Sequence, residues 1–377
     1  MRNIQMVDLQ GQYTRLSVEI DQAMKQVLQD ADFIQGGAVR RFESALAERY
    51  EVKHVIGCAN GTDALQLAFM ALDLPAGSEV ITPAFSYAAL TEVILLLGLK
   101  PVFAEVDAST FLMDLAALEG LITENTRAIA PVHLYGQMVS MEPLLALAKK
   151  HNLYVVEDAA QAIGSQYCTT SEHGFAGTMG HIGTTSFFPS KNLGCYGDGG
   201  AMFTNDDALA KKLRRLANHG QTVKYQHDVV GLNSRLDTLQ AAVLLAKLPY
   251  LSEFEKQRRA VAARYDAALA EIVGLSVPQR TVDSSHVFHQ YTLKCDSEAM
   301  RDALKKHLMD HGIPSMIYYP IALHRQTAYK QVVNLPVSED LCNRVLSLPI
   351  CPELNIEQQD YIINNIRNFI QKSQLIE

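Results

Sequence analysis

The sequence is poor in the features that place a protein in a membrane or outside the cell. Its most apolar run, Val93–Leu99, lies between Glu92 and Lys100 and is too short to cross a bilayer. The opening residues show no signal-peptide pattern. The six cysteines include no C-x-x-C pair, and tryptophan is absent. We therefore expect a cytoplasmic protein with reduced thiols.

Basic charge is also scarce. Lys and Arg number 33 against 41 Asp and Glu, which gives a net charge of -8. This balance disfavours nucleic-acid binding, because a phosphate backbone requires a basic face, but it leaves room for a local site for a small anion. No metal site is expected either. His286 and His289 form the nearest candidate pair, yet residues three apart on a strand point to opposite faces.

Short apolar runs alternate with helical patterns in the first part of the chain. The runs are His54–Ala59, Glu79–Ala84, Lys100–Val106, Thr126–Leu134 and Leu153–Asp158. Strands separated by single helices predict an α/β fold with a parallel sheet covered on both faces. A long helical stretch, Ser234–Val273, is interrupted by Pro249 and resembles a connector. We expect a large domain over residues 1–250 and a smaller C-terminal domain over 251–377.

Candidate binding residues follow the predicted strands, because ligands of parallel sheets gather at the carboxyl ends of the strands. Asn60–Leu65 opens a helix, where backbone N–H groups and the Thr62 hydroxyl suit an anion, although an ordinary N-cap is the alternative. Tyr87 suits stacking on a flat ring, with core packing as the alternative. Asp158 suits a protonated ring nitrogen or a helix N-cap, and Gln161 suits a ring oxygen.

Lys191 lies in an unusual setting, "SFFPSKNLGCYGDGG" (Ser186–Gly200), among aromatic, proline and glycine residues. A surface lysine needs no such setting, whereas a lysine that must reach a buried electrophile does. A phosphate cradle, a ring stacker, a carboxylate for a pyridinium and a lysine together describe a site for pyridoxal phosphate. In such a site the lysine forms the Schiff base.

These segments resemble the DegT/StrS family of pyridoxal-phosphate sugar-nucleotide aminotransferases. The resemblance runs through "NGTDALQLA", "VVEDAAQAIGS", the lysine segment, "GLNSRLDTLQAA" and "IYYPIALHRQTAY". It implies the aspartate-aminotransferase-like fold, known as fold type I, whose large domain holds a mostly parallel seven-stranded sheet. It also implies a smaller α+β domain at the C-terminus.

The resemblance assigns roles to individual positions. Lys191 would be the Schiff-base lysine and the proton shuttle, and Asp158 would pair with the pyridine nitrogen. The other implied cofactor contacts are Gly61, Thr62 and Ser186 at the phosphate, Tyr87 on the ring, and Gln161 at the ring hydroxyl. Asn233 would reach the phosphate from the neighbouring subunit, which implies a homodimer with shared active sites. The implied substrate contacts are Arg235, Tyr318 and His324, with structural packing as the alternative for Tyr318 and His324.

The implied reaction moves an amino group from L-glutamate to a keto group of a nucleotide-linked sugar. The resemblance favours C3 of UDP-2-acetamido-3-keto-glucuronic acid, with the product serving bacterial surface polysaccharide such as O-antigen of lipopolysaccharide. The alternative is a dTDP- or UDP-linked 3- or 4-keto-6-deoxy sugar. Arg235 suits a uronate carboxylate, because a guanidinium binds it through two hydrogen bonds.

Two interpretations from other classes remain. A nicotinamide-dependent oxidoreductase requires a G-x-G-x-x-G turn at the first helix, and "GCANGTDAL" does not supply it. A regulatory protein that binds the cofactor without turnover is the other. The presence of Lys191, Asp158 and Gln161 argues against it.

Overall fold

The computed structural model describes residues 3–374. Its α-helices are α1 (Leu9–Asp30), α2 (Gly37–Arg49), α3 (Gly61–Ala71), α4 (Ala89–Leu96), α5 (Met141–Lys150), α6 (Asp207–Leu216), α7 (Thr238–Lys247), α8 (Leu251–Leu269), α9 (Glu298–Asp310), α10 (Pro336–Arg344) and α11 (Ile356–Gln374). Its strands are β1 (His54–Cys58), β2 (Glu79–Pro83), β3 (Lys100–Ala104), β4 (Thr126–Ile129), β5 (Tyr154–Asp158), β6 (Gln166–Cys168), β7 (His173–Phe175), β8 (Ile182–Ser186), β9 (Gly200–Thr204), β10 (Gln221–Val223), β11 (Gln226–His227), β12 (Leu275–Ser276), β13 (Tyr291–Cys295) and β14 (Val345–Leu348).

The large sheet has seven strands in the order β1-β9-β8-β5-β4-β2-β3. Strand β9 runs antiparallel to both of its neighbours, and the remaining pairs are parallel. The carboxyl ends of all strands other than β9 therefore lie at one edge, where ligands of such sheets bind. This arrangement confirms the predicted α/β class with a mostly parallel seven-stranded sheet.

Buried apolar side chains explain why the helices cover this sheet. Strands β8 and β9 are buried along their whole length, as expected for central strands covered on both faces. Helix α3 packs Leu65, Leu67 and Phe69 into the same core as Ile81 of β2 and Val156 of β5. The core thus fixes the start of α3 relative to the sheet edge.

The predicted connector consists of two helices that are separated near Pro249, where the sequence pattern is interrupted. Helix α7 ends at Lys247, a short turn contains Pro249, and α8 starts at Leu251. Proline lacks the N–H that a continuing helix needs, which explains the break. Beyond it lies a three-stranded antiparallel sheet, β12-β13-β14, packed with α8, α9 and α11 around a separate apolar cluster. The proposed boundary at residues 250 and 251 stays a prediction.

The strand predictions hold in position, and the main difference is at β4, which ends at Ile129 rather than at Leu134. Pro131 follows closely and has no N–H for the ladder. Within residues 3–374, no helix combines the length and the apolar character that crossing a membrane requires.

Candidate active site

A cavity of about 470 Å³ lies where β1, β5 and β8 end, beside the loop that carries Lys191. Most of the site residues predicted from the sequence line it together. They are Gly61, Thr62, Tyr87, Asp158, Gln161, Ser186, Lys191 and Tyr318. The fold therefore brings to one place side chains that lie far apart in the chain.

The first turn of α3 forms the anion-binding corner of this cavity. The Asn60 side chain caps the helix, accepting a hydrogen bond from the backbone N–H of Asp63 at 2.8 Å. Gly61 and Thr62 follow at the positive end of the helix, where backbone N–H groups lack helical partners. A Cβ on Gly61 would lie 2.7 Å from Cβ of Ser186, so glycine is required for this close approach.

Lys191 lies on a loop whose ends are fastened together. The backbone N–H of Cys195 donates to the carbonyl of Phe187 at 2.8 Å, which closes the loop below the lysine. A Cβ on Gly194 would come within 2.3 Å of the Pro189 oxygen, so glycine permits the tight turn. The loop is thus a defined structure that presents Lys191 to the cavity.

Lys191 and Asp158 influence each other's charge. Burial lowers the pKa of Lys191 to about 8, while the charge of Asp158 acts against this shift. Burial also raises the pKa of Asp158, against a hydrogen bond of 3.0 Å that its Oδ1 accepts from the Ala160 N–H. Lys191 therefore has a larger neutral, nucleophilic fraction near pH 7 than an ordinary lysine. Asp158 is positioned to be stabilised by a cation in the cavity.

Glu157 is adjacent to Asp158, but its side chain points away from the cavity and into the protein, since successive strand residues point to opposite faces. Its Oε2 lies 2.8 Å from Nε2 of His133, and both side chains are fully buried. The same oxygen accepts a hydrogen bond from the Gly177 N–H at 2.9 Å. This network supports the end of β5 and so the position of Asp158.

Gln161 lines the cavity, but its amide group already has partners. Its Oε1 accepts from the Tyr135 N–H at 2.8 Å, and its Nε2 donates to the Tyr319 hydroxyl at 2.9 Å. A contact between Gln161 and a ring hydroxyl, as predicted from the sequence, therefore requires this amide to exchange or share a partner. That role stays a prediction.

Three predicted site residues lie outside this cavity. Asn233 is exposed, which suits a residue expected to reach a neighbouring subunit. Arg235 lines a different, smaller hollow. His324 is fully buried and lies with Nε2 3.0 Å from Oε1 of Glu339, so in this structure it packs against the protein and does not line the cavity.

Other cavity residues escaped the sequence reasoning. Ser86, Phe188, His289 and Tyr319 also line it. Tyr319 follows Tyr318 in the motif "IYYPIALH", and nothing in the sequence indicates that both tyrosines line the cavity. Ser86 directly precedes Tyr87. The prediction that Tyr87 stacks on a ring is therefore the one signal in the sequence that could have located Ser86.

The residues present fit pyridoxal phosphate. The α3 corner offers N–H groups and hydroxyls for the phosphate, Asp158 offers a carboxylate, and Lys191 offers the amine. Ser86 has a buried hydroxyl without a hydrogen-bond partner among the described residues, as expected where a bound polar group would complete the site. Tyr87 is 61% exposed at the cavity, so one of its faces is available for stacking.

Comparison with known proteins gives a family match over most of the chain. The sequence model of the DegT/DnrJ/EryC1/StrS aminotransferase family matches residues 14–367. Over 366 residues the chain is 46% identical to a UDP-N-acetyl-3-dehydro-alpha-D-glucosamine 3-aminotransferase of Acidithiobacillus ferrooxidans, covering 97% of each chain. Over 358 residues it is 44% identical to the UDP-2-acetamido-2-deoxy-3-oxo-D-glucuronate aminotransferase of Pseudomonas aeruginosa, covering 93% of this chain and 96% of that one.

A third relative carries a name of another kind. The chain is 46% identical over 373 residues to a protein of Geobacillus stearothermophilus named pleiotropic regulatory protein, covering 97% of this chain and 98% of the relative.

Solved structures agree with the fold and the cofactor. DesV of S. venezuelae superimposes with a TM-score of 0.94 at 38% identity, covering 98% of this chain and 99% of that one. The NtdA protein of Bacillus subtilis, solved with the bound cofactor PMP, superimposes with a TM-score of 0.88 at 32% identity, covering 95% of this chain and 82% of that one.

Proposed function

This chain belongs to the DegT/DnrJ/EryC1/StrS aminotransferase family and is a pyridoxal-phosphate-dependent transaminase, and we propose that it moves an amino group from L-glutamate to C3 of a UDP-linked 2-acetamido-3-keto sugar. The observation that carries the proposal is the cavity in which Lys191, Asp158 and the first turn of α3 meet. The names of the A. ferrooxidans and P. aeruginosa relatives support the UDP-linked 3-keto sugar.

The side chains divide the work of amino transfer. Gly61, Thr62 and Ser186 would hold the phosphate of the cofactor, and Asp158 would keep its ring nitrogen protonated. When bound, the cofactor supplies a ring that accepts the electrons left behind when a carbon loses its proton. Lys191 Nζ takes the proton from the α-carbon of the donor and later delivers a proton to the sugar carbon that receives the amine.

The sugar proposed is UDP-2-acetamido-3-keto-glucuronic acid. The name of the P. aeruginosa relative supports a uronic acid, whereas the name of the A. ferrooxidans relative supports a glucosamine derivative that has no carboxylate on the ring. Tyr318 lines the cavity and is the substrate contact proposed there. Arg235, which the sequence favours for the uronate carboxylate, lines a different hollow, so the choice of the uronate rests on the name of the P. aeruginosa relative. The experiment below separates the two sugars.

We further propose a homodimer in which each site is completed by the neighbouring subunit. Asn233 is exposed and does not line its own cavity. The same stretch exposes Tyr225 and Val230 at 80% and 87%, and Phe33 and Ile34 are also exposed. Apolar side chains left exposed in this way are typical of an interface. A two-fold axis would bring the same surface together from both subunits.

The cellular role proposed is cytoplasmic synthesis of an amino sugar for bacterial surface polysaccharide such as O-antigen. The bacterial relatives that act on UDP-linked sugars support it. A nucleotide-activated amino sugar is a donor for a glycosyl-transfer reaction, so a glycosyltransferase is the class of enzyme that must use the final product.

The test follows the visible absorbance of the cofactor-loaded protein through the two half-reactions. L-Glutamate should bleach the cofactor band, and UDP-2-acetamido-3-keto-glucuronate, generated in place by a dehydrogenase, should restore it. The matching glucosamine 3-keto sugar should restore it more slowly. Lys191→Ala is the inactive control, because it lacks the proton-carrying amine.

Each contrary result points to a different revision. If glutamate bleaches the band and the glucosamine sugar restores it faster than the uronate, the uronate assignment is wrong. If neither 3-keto sugar restores the band, 4-keto-6-deoxy sugars linked to dTDP or UDP become the substrates to test. If no amino donor bleaches the band, the regulatory alternative gains support, in line with the name of the G. stearothermophilus relative.

A further inference from the structure

A second cavity, separate from the Lys191 cavity, is lined by an unusual number of guanidinium groups. It has a volume of about 260 Å³ and lies between α2, β1, α6 and the segment before α7. Its charged lining residues are Arg40, Arg214, Arg235 and Glu43. Three cations therefore face one carboxylate, in a chain whose net charge is -8.

The single carboxylate is already used by the protein. Glu43 Oε1 accepts a hydrogen bond from the Gly57 N–H at 2.8 Å, and its Oε2 accepts one from Nη1 of Arg214 at 2.9 Å. Nη2 of Arg214 donates to the carbonyl of Val55 at 2.8 Å. Arg214 and Glu43 thus form a fixed wall in which the acidic charge is neutralised.

The other two arginines keep most of their donors available. Arg40 Nη1 donates to the Gln35 carbonyl at 3.0 Å, and Arg235 Nη1 donates to Oδ1 of Asn218 at a long 3.4 Å. Neither forms an ion pair within the described part of the chain. Each guanidinium carries five N–H donors in a planar fork, so both have donors left to offer a ligand.

These features select the chemistry of the ligand. Guanidinium groups bind phosphate and carboxylate oxygens in pairs of parallel hydrogen bonds. The cavity is smaller than the roughly 300 Å³ at which pockets for whole drug-sized ligands begin, so it suits a small anionic group and not a complete nucleotide sugar. Because Arg214 is paired with Glu43, Arg40 and Arg235 are the two guanidinium groups whose positive charge is left for an anion to balance.

We propose that Arg40, together with Arg214 and Arg235, binds the diphosphate of the nucleotide-linked sugar. The inference rests on the proposed function. It assigns the diphosphate of the substrate to this second cavity and leaves the sugar to the Lys191 cavity.

The position of the pocket agrees with the proposed dimer. Along the extended segment, Asn233 is exposed, Ser234 is buried, Arg235 is partly exposed and Leu236 is buried. This alternation places Asn233 and Arg235 on the same side. If Asn233 reaches the facing subunit, Arg235 and its pocket lie toward that subunit as well. The sugar would then react in the facing cavity while its diphosphate rests on this subunit's arginines.

The test measures UDP binding to the cofactor-loaded protein by calorimetry. Arg40→Gln should weaken UDP binding about tenfold, as expected for loss of charge-assisted hydrogen bonds, and Arg40→Lys should restore part of the loss. The wild-type affinity should fall as salt is added, and fall less in Arg40→Gln. Arg41→Gln is the matched control, because Arg41 is the next residue and lines a different hollow with α1 and α7.

The same variants are then compared in turnover. Arg40→Gln should raise KM for the keto sugar about tenfold and leave bleaching by L-glutamate unchanged, because glutamate has no diphosphate. Wild-type UDP affinity in Arg40→Gln, or an equal loss in Arg41→Gln, would overturn the proposal. The proposal would also be overturned if inorganic phosphate binds to the wild type, fails to bind to Arg40→Gln, and is not displaced by UDP. Failure of glutamate to bleach the band would count against the proposed function alone, and the UDP titrations would still decide the role of the pocket.

Discussion

At the scale of single residues, Lys191 carries a cost in stability that follows from its position. Burial lowers its pKa from 10.5 to about 8, so at pH 7 the folded, cofactor-free protein holds a charged lysine whose protonated form is less stable than it is in the unfolded chain. Lys191→Met keeps a similar length and removes the charge. We expect its free energy of unfolding at pH 7, without cofactor, to exceed the wild-type value by about 2 kcal/mol, allowing for solvent in the cavity.

The pH dependence of this difference has a definite sign. Between pH 8 and 10.5 the unfolded chain holds a proton that folded Lys191 has lost, so wild-type stability rises with pH and the advantage of Lys191→Met shrinks. Urea denaturation from pH 7 to 10 measures it. Lys330→Met, at an exposed lysine, should show no such trend. An advantage that stays constant with pH would show that packing, and not charge, is responsible.

The residue scale also shows what sequence reasoning can reach. Lys191 and Asp158 were predicted because their chemistry requires a recognisable local setting, a glycine-bounded loop and a strand end, and the structure places both in one cavity. The partners of Gln161 could not be predicted in this way, because Tyr135 and Tyr319 lie 26 and 158 residues away. Contacts of this kind depend on the assembled fold.

At the scale of elements, the predicted strands of the large sheet were those with apolar, often β-branched runs, and the strands of that sheet that were missed are β8 and β9. Their sequences, "IGTTS" and "GAMFT", are short and lack alternation because both strands are buried on both faces. Gly200 explains part of this, since a Cβ there would lie 2.5 Å from the backbone of Asn60. The start of β9 thus packs directly against the residue that precedes the first turn of α3, the anion-binding corner of the cavity. The β-propensity of the sequence does not reveal this contact.

Helix α7 gives the next prediction, because one of its faces holds the loop that carries Lys191. Lys247 is 1% exposed, donates from Nζ to the Gly194 carbonyl at 2.7 Å and lies 4.2 Å from the centre of the Tyr196 ring. Two turns earlier on α7, Oε1 of Gln240 accepts from the Tyr196 N–H at 2.8 Å. Lys247 is therefore a positioning residue for the loop.

Lys247→Met should lower kcat about tenfold and leave KM for L-glutamate nearly unchanged, since a displaced Lys191 affects proton transfer more than binding. Lys247→Arg should recover part of the rate, because a guanidinium can donate to the same carbonyl. Lys256→Met, at an exposed position on α8, is the control. A variant that unfolds at lower temperature but turns over normally would reduce Lys247 to a structural role.

At the scale of the whole molecule, the shared-site dimer makes a quantitative prediction. Lys191→Ala leaves Asn233 intact, and Asn233→Ala leaves Lys191 intact, so each homodimer lacks one component at both of its sites. Random exchange of subunits makes about half of the dimers mixed, and each mixed dimer contains one complete site. The mixture should therefore regain about a quarter of wild-type activity.

Activity is measured after the two variants are mixed, with subunit exchange followed by a mass tag on one of them. Mixing Lys191→Ala with Asp158→Ala is the control, because both changes lie in the same cavity and no mixed dimer can form a complete site from them. Recovery with Asn233→Ala but not with Asp158→Ala would support sites built from two subunits. Exchange without recovery in either mixture would mean that Asn233 acts within its own chain or not at all, and that the exposed apolar surface around Tyr225 and Val230 serves another contact.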